Sequence, residues 1–361
     1  MNIWTKKVVI AIFVVANYMQ TWVKAKPEVP CYFIFGDSLV DDGNNNPLLS
    51  LAKVNYPPYG IDFPKGPTGR FTNGQTQADV LGKLMGFDKF IPPFVTARGH
   101  VILEGVNYAS GGGGILDETS GHQGQRISMD EQLKNHEITV LRIKKMLRSK
   151  NSSITLLRKC LYYVGMGAND YLNNYFFPNY NTSQLYTPEQ FATLLIQKYH
   201  NQIMRLYNNG ARKVALIGIG QIGCTPFANS YLAKNAGSGC VDYINNAAQL
   251  FNQKIIGLVD QLNTNLTRAK FIYVNNYGFG ARLDLESAGF TIFHESCCPS
   301  NNYGLCIPLL PPSPNRDSYV FWDFFHPTQA MNLLTANRSY TALRPSDTYP
   351  MDISHLVKLD L

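Results

Sequence analysis

Short continuous apolar runs recur along the chain, at residues 31–35, 105–108, 161–165, 213–219 and 270–274. Apolar at successive positions rather than at alternate ones, they have the pattern of strands buried on both faces of a parallel sheet. Between them the period becomes helical. From 241 to 262, Ile244, Ala248, Phe251, Ile255, Leu258 and Leu262 fall at steps of four and three, one stripe turned toward a sheet. Thr187-Pro188-Glu189-Gln190 supplies a cap, a proline at the first helical position and a glutamine three after the cap, and predicts a helix that stops near Gly210. Residues 128–147 open with Ser-x-x-Glu and repeat the design. This alternation implies an α/β protein, with a mainly parallel five-stranded sheet covered by helices on both faces. No linker, charge block or internal repeat divides residues 26–361, so one domain is expected. Ligands of such sheets gather at the carboxyl ends of the strands, and functional residues are therefore expected just after the apolar runs.

The first 25 residues follow a different rule. Lys6 and Lys7 precede a short apolar core at 8–16, and Val23-Lys24-Ala25 resembles a cleavage site, together a secretory signal pattern. A membrane span needs about 20 apolar residues, and this run stops at Asn17. With the mature chain starting near Lys26, the loss of Lys6, Lys7 and Lys24 lowers the formal net charge from +7 to +4. So mild an excess argues against nucleic acid as a partner; the basic stretch 142–148 reads as the solvated face of a helix. Secretion gives meaning to the Asn-x-Ser/Thr sequons at Asn151, Asn181, Asn265 and Asn337. It also makes the seven cysteines a disulfide set with one thiol left over. Cys297, Cys298 and Cys306 share one loop and Cys224 and Cys240 flank another, while Cys160, in a buried-strand pattern, is expected to be the free one. No Cys-x-x-Cys spacing or paired histidine supports zinc.

The candidate chemistry lies where the strand pattern puts it. After the first run comes Gly36-Asp37-Ser38-Leu39, after the second "NYASGGGG" (107–114), after the third "GMGANDY" (165–171), and far downstream "FWDFFHPTQ" (321–329), with Asp323 three residues before His326. Together and in this order they resemble the GDSL esterase/lipase family of the SGNH hydrolase superfamily, whose blocks named for Ser, Gly, Asn and His match Ser38, the Gly111/Gly112 pair, Asn169 and His326. The resemblance runs from about Cys31 to Pro327. The stretches "NYASGG", "NDYLNNY", "IGCTP" and "FWDFFHPT" are similar to the plant branch of that family. Two departures stand out: a fourth glycine, Gly113, where alanine is common, and Ala168 where serine is common. Neither removes a functional group, although Gly113 is expected to loosen its turn. The resemblance implies a three-layer α/β/α sandwich of flavodoxin-like type and an ester hydrolase, in which Asn169 and the backbone N–H groups of Ser38 and Gly112 form an oxyanion hole. Spacing from Asn107 favours Gly112, with Gly111 as the alternative.

The residues support the same chemistry. Ser38 at a strand-to-helix turn would use the tight approach that Gly36 permits and the positive end of a helix; alone, it reads as a helix N-cap. His326 suits a general base because a carboxylate at i−3, Asp323, can fix its tautomer. Asn169, read alone, is an Asx-turn residue, and the glycine run a flexible loop. No Gly-x-Ser-x-Gly elbow and no phosphate-binding loop are present. The loop "DDGNNN" (41–46) lacks the spacing of a calcium loop and reads as a structured rim of the site. Neither cofactor nor metal is expected. An acyltransferase using the same acyl-enzyme, a catalytically quiet wall- or carbohydrate-binding protein and a structural glycoprotein are the alternatives. Small-molecule, lipid and acetylated-glycan esters all remain open as substrates, and oligomeric state is not legible.

Overall fold

The computed structural model describes residues 26–233 and 239–361, and the signal-like segment 1–25 lies outside the described residues. In chain order the main elements are β1 (Tyr32–Gly36), α1 (Gln77–Leu84), β2 (Gly105–Asn107), α2 (Met129–Leu147), α3 (Lys150–Lys159), β3 (Leu161–Gly165), α4 (Pro188–Asn208), β4 (Lys213–Ile217), α5 (Asp242–Asn265), β5 (Lys270–Val274), β6 (Ile292–Ser296), β7 (Tyr319–Phe321), α6 (Gln329–Tyr340) and β8 (Thr348–Tyr349). The apolar runs became β1 to β5, and the three patterned helices became α2, α4 and α5. Reciprocal capping boxes at Ser128–Glu131 and Thr187–Gln190 start α2 and α4.

The sheet order is β2-β1-β3-β4-β5-β8. Strands β1 to β5 pair in parallel and β8 joins β5 antiparallel. The sheet therefore has six strands, not the expected five. The sixth escaped notice because two residues, Thr348 and Tyr349, carry no periodic signal. A separate parallel pair, β6 and β7, forms the second sheet.

Alternation within each strand divides the core. Phe33, Phe35, Tyr162 and Val164 face α2, α4 and α5, in one apolar cluster with Leu133, Tyr199 and Phe251. Ile34, Leu161, Tyr163 and Ile217 face the other way, against Leu81 of α1, Ala336 of α6 and the short C-terminal helix Ile353–Lys358 carrying Leu356. This is the α/β/α sandwich. Strand order reverses between β1 and β3, which opens a crevice at their carboxyl ends.

The disulfides are Cys31–Cys160, Cys224–Cys240 and Cys298–Cys306. Cys160 is thus bonded, and the free cysteine is the buried Cys297. The strand register explains the difference. Tyr32 pairs with Leu161, so the residues just before them, Cys31 and Cys160, are adjacent, with Cα atoms 4.7 Å apart.

Candidate active site

Strand β1 ends at Gly36, whose two backbone polar groups are both held by one side chain. Gln132 of α2 accepts from Gly36 N–H (3.1 Å) and donates to Gly36 C=O (2.8 Å). Ser38 follows two residues later, half-buried. No helix begins there: the chain runs through turns until α1 starts at Gln77, so the expected strand-to-helix turn is a strand-to-loop turn. The loop is stabilised instead by its own side chains. Asp37 Oδ1 accepts from Leu39 N–H at 3.0 Å, while Asp41 Oδ1 takes the N–H groups of Gly43 and Asn44, both at 2.8 Å. Burial pushes the carboxyls of Asp37 and Asp41 up to about 6, against the opposing pull of those N–H donors.

Ser38 Oγ does not cap a helix. It lies 2.8 Å from Nε2 of His326, and the Nδ1 side of that ring lies 2.8 and 2.7 Å from the two oxygens of Asp323. A carboxylate can only accept, so Nδ1 carries a proton and, in the neutral ring, Nε2 is left as acceptor for the Ser38 hydroxyl. Asp323 is fully buried. Its charge is balanced by the N–H groups of Phe325 and His326, both at 2.8 Å, and by the Tyr59 hydroxyl, which donates to Oδ2 at 2.6 Å. Tyr59 in turn accepts from the N–H of Cys306, which ties it to the Cys298–Cys306 loop. The Phe71 ring lies 4.8 Å from the imidazole.

The glycine run and Asn169 approach from the neighbouring strands. Gly111 N–H is donated to Asp41 Oδ2 at 3.0 Å and Gly113 N–H to Ser110 C=O at 2.9 Å. Gly112 lies between them with φ +76°, a conformation that suits glycine, and a Cβ there would come within 2.7 Å of Gln123 Oε1. Among the described residues the N–H groups of Gly112 and Ser38 have no acceptor. The Asn169 amide is held at both ends: it donates to Gly113 C=O at 3.0 Å and accepts from Asn173 Nδ2 at 2.7 Å, which leaves its second N–H free. Asn44 and Asn45, from the amide-rich loop, bind the backbone of Ala109 and Gly111 and hold the glycine turn against Ser38.

Ser38, Gly112, Asn169 and His326 line one cleft of about 810 Å³. Asp323 lies behind His326. Gly111 is not part of the lining, because its N–H faces Asp41. The sequence reading missed Tyr59, Gln132 and Asn173 as supports of these groups. For Asn173 the signal was present, since i+4 from Asn169 is one helical turn, whereas Tyr59 stands 264 residues from Asp323.

The sequence profile of the GDSL-like lipase/acylhydrolase family matches residues 32–339. The chain belongs to this family. A GDSL esterase/lipase of Arabidopsis thaliana is 52% identical to it over 343 residues, covering 93% of this chain and 94% of the relative. A second GDSL esterase/lipase of that plant is 48% identical, covering 98% and 99%, and a third is 47% identical, covering 97% and 98%. GDSL-family membership puts the chain among ester-bond hydrolases. The match spans β1 through most of α6, and so includes every group that lines the Ser38 end of the cleft.

Proposed function

We propose that the protein is a carboxylic-ester hydrolase that works through an acyl-enzyme on Ser38. The observation that carries this reading is the hydrogen-bonded line from Ser38 Oγ through the His326 imidazole to the buried Asp323. His326 Nε2 takes the hydroxyl proton as Ser38 Oγ attacks the acyl carbon. Charge then develops on the former carbonyl oxygen, opposite the unpaired N–H groups of Ser38 and Gly112 and the free N–H of Asn169. Collapse breaks the ester bond, and the imidazolium returns the proton to the leaving alcohol. Water, deprotonated by the same nitrogen, releases the acid. Asp323 stays ionised throughout and holds the ring.

Ser38→Ala tests this directly. Turnover of p-nitrophenyl butyrate is expected to fall by about a thousandfold or more, with an unchanged circular dichroism spectrum. Wild-type protein is expected to be labelled by a fluorophosphonate on Ser38 alone. Undiminished turnover by the folded variant overturns the assignment.

We infer further that residues 1–25 are removed on secretion and that residues 26–361 act as one domain. Three disulfides suit an oxidising compartment, and the sequon residues Asn151, Asn181, Asn265 and Asn337 are all exposed, as glycan acceptors must be. Among the described residues no helix is long and apolar enough to cross a membrane.

A further inference from the structure

The turn that offers Gly112 to the cleft is built without side chains of its own. Residues 111–114 are all glycine, so no Cβ resists rotation of the peptide units between them. The Gly111–Gly112 peptide matters most, because its N–H is the one that Gly112 presents to the cleft. Rotated by half a turn, the same unit would present the Gly111 carbonyl oxygen instead, and that oxygen would repel the charge developing on the substrate. Something outside the turn must therefore hold this peptide.

Two buried side chains of the loop after Ser38 grip it at Gly111. Asp41 Oδ2 accepts the Gly111 N–H at 3.0 Å, and Asn45 Nδ2 donates to the Gly111 C=O at 2.9 Å. Asn45 is itself aimed by Ser110, whose hydroxyl donates to its Oδ1 at 2.5 Å. A trans peptide sets its C=O and N–H on opposite sides, so the bond from Asn45 to the carbonyl turns the Gly112 N–H away from Asn45 and toward the cleft. Asp41 fixes the preceding peptide. It also belongs to the turn that carries Ser38, since its own N–H is donated to Asp37 C=O at 3.1 Å. The carboxylate thus joins the turn of the nucleophile to the turn of the oxyanion donor.

The charge of Asp41 faces N–H groups: Oδ1 takes two, from Gly43 and Asn44, and Oδ2 takes the one from Gly111. The charged groups around it are Asp37 and Asp42 on its own loop and Arg70, which pairs with Asp42 at 3.7 Å and Asp79 at 2.7 Å rather than with Asp41. The glycine turn carries no titratable group. A proton would settle on Oδ2, where it displaces one N–H instead of two, and would so break the bond to Gly111. Burial pushes this carboxyl up to about 6, which brings that event just below neutrality. We propose that Asp41 and Asn45 are positioning residues of the reaction: they hold the Gly111–Gly112 peptide with its N–H toward the cleft, and Asp41 does so only as a carboxylate. This rests on the ester-hydrolase reading above, in which the Gly112 N–H faces the developing charge. Neither side chain lines the cleft, so both act through the glycine turn.

Asp41→Asn tests this, because it sets an NH2 against the Gly111 N–H and so reproduces the protonated state at every pH. On p-nitrophenyl butyrate at pH 8, kcat of the variant is expected to lie about tenfold to a hundredfold below wild type, with KM within about twofold, since the hole acts on the transition state more than on bound ester. The ratio of wild-type to variant kcat is then expected to fall toward one between about pH 8 and 5, as protonation gives the wild type the same defect. His326 and Asp37 are common to both proteins and cancel in that ratio. Asn45→Asp, which sets a carboxylate oxygen against the Gly111 carbonyl, is expected to lower kcat by a similar factor, and wild-type kcat in it removes Asn45 from the grip. If Asp41→Asn does not fold, the wild type decides by NMR: the Gly111 amide proton, held downfield by its carboxylate acceptor, is expected to move upfield with a midpoint near pH 6, and a flat response overturns the link. A kcat ratio near one at pH 8, or one that stays constant down to pH 5, overturns the role of Asp41 while leaving the hydrolase reading intact. A wild type inactive on the ester overturns both.

Discussion

Asp323 is a carboxylate with no access to water, and its oxygens accept from the imidazole, two backbone N–H groups and the Tyr59 hydroxyl. Taking a charge-assisted partner from such a group is expensive, so Tyr59 acts on the reaction through Asp323 without touching substrate. Tyr59→Phe is expected to lower kcat by about tenfold at nearly unchanged KM, because ring orientation matters in the transition state more than in binding. Steady-state kinetics on a soluble ester check this, and wild-type kcat in the variant removes Tyr59 from the positioning network. Ser38, Gly112, Asn169 and His326 could be found from the chain because each follows an apolar run or sits in a short, distinctive spacing. Tyr59 could not. Its link to Asp323 spans 264 residues, and nothing near it in the sequence distinguishes it from any other aromatic core residue.

At the scale of an element, α2 does more than cover the sheet. One face carries Gln132 to the end of β1, and on the same face, one turn on, His136 is wholly buried against Phe33, Phe35, Tyr108 and Tyr162, its Nδ1 3.1 Å from the Tyr108 hydroxyl. Burial lowers its pKa to about 3, so the folded protein keeps the ring neutral. The unfolded chain protonates it near 6.5, so this site's contribution is whole above that pH and is lost as pH falls toward 3, at up to about 1.4 kcal/mol per pH unit. His136→Phe is expected to flatten the fall in Tm between about pH 6.5 and 4, even though its loss of the Tyr108 contact lowers Tm at every pH. Thermal unfolding across that range compares the two slopes, and parallel curves exclude His136 as a source of acid sensitivity. The periodicity of α2 was legible in the sequence. That two polar residues on its buried face serve different purposes was not, since helical spacing says which way a side chain points and not what it meets.

For the whole molecule, the Cys31–Cys160 bridge joins β1 to β3 across a sequence separation of 129, at the end of those strands opposite to the one that carries Ser38 and Asn169. Closing so long a loop constrains the unfolded chain strongly. Peptide mapping of protein harvested from the medium of expressing cells tests pairing and compartment together. The chain is expected to begin near Lys26, and alkylation under denaturing, non-reducing conditions is expected to modify Cys297 and no other cysteine. Burial raises the Cys297 thiol to about 11, which makes it slow to react until the fold is opened. Alkylated Cys160 contradicts the pairing, and a chain retaining residues 1–25 contradicts processing.

By itself the sequence determined the five parallel strands, the three helices α2, α4 and α5 on one face of the sheet and the family, because these follow from local periodicity and from short motifs in a set order. Only the tertiary structure decided that Cys160 is bonded, that a sixth strand joins the sheet, that Ser38 opens onto a loop, and that Gly112 and not Gly111 has an N–H with no acceptor among the described residues. Most of these depend on which residues from distant segments are brought side by side. Strand register and helix packing set that, and neither is written in the spacing of residues along the chain.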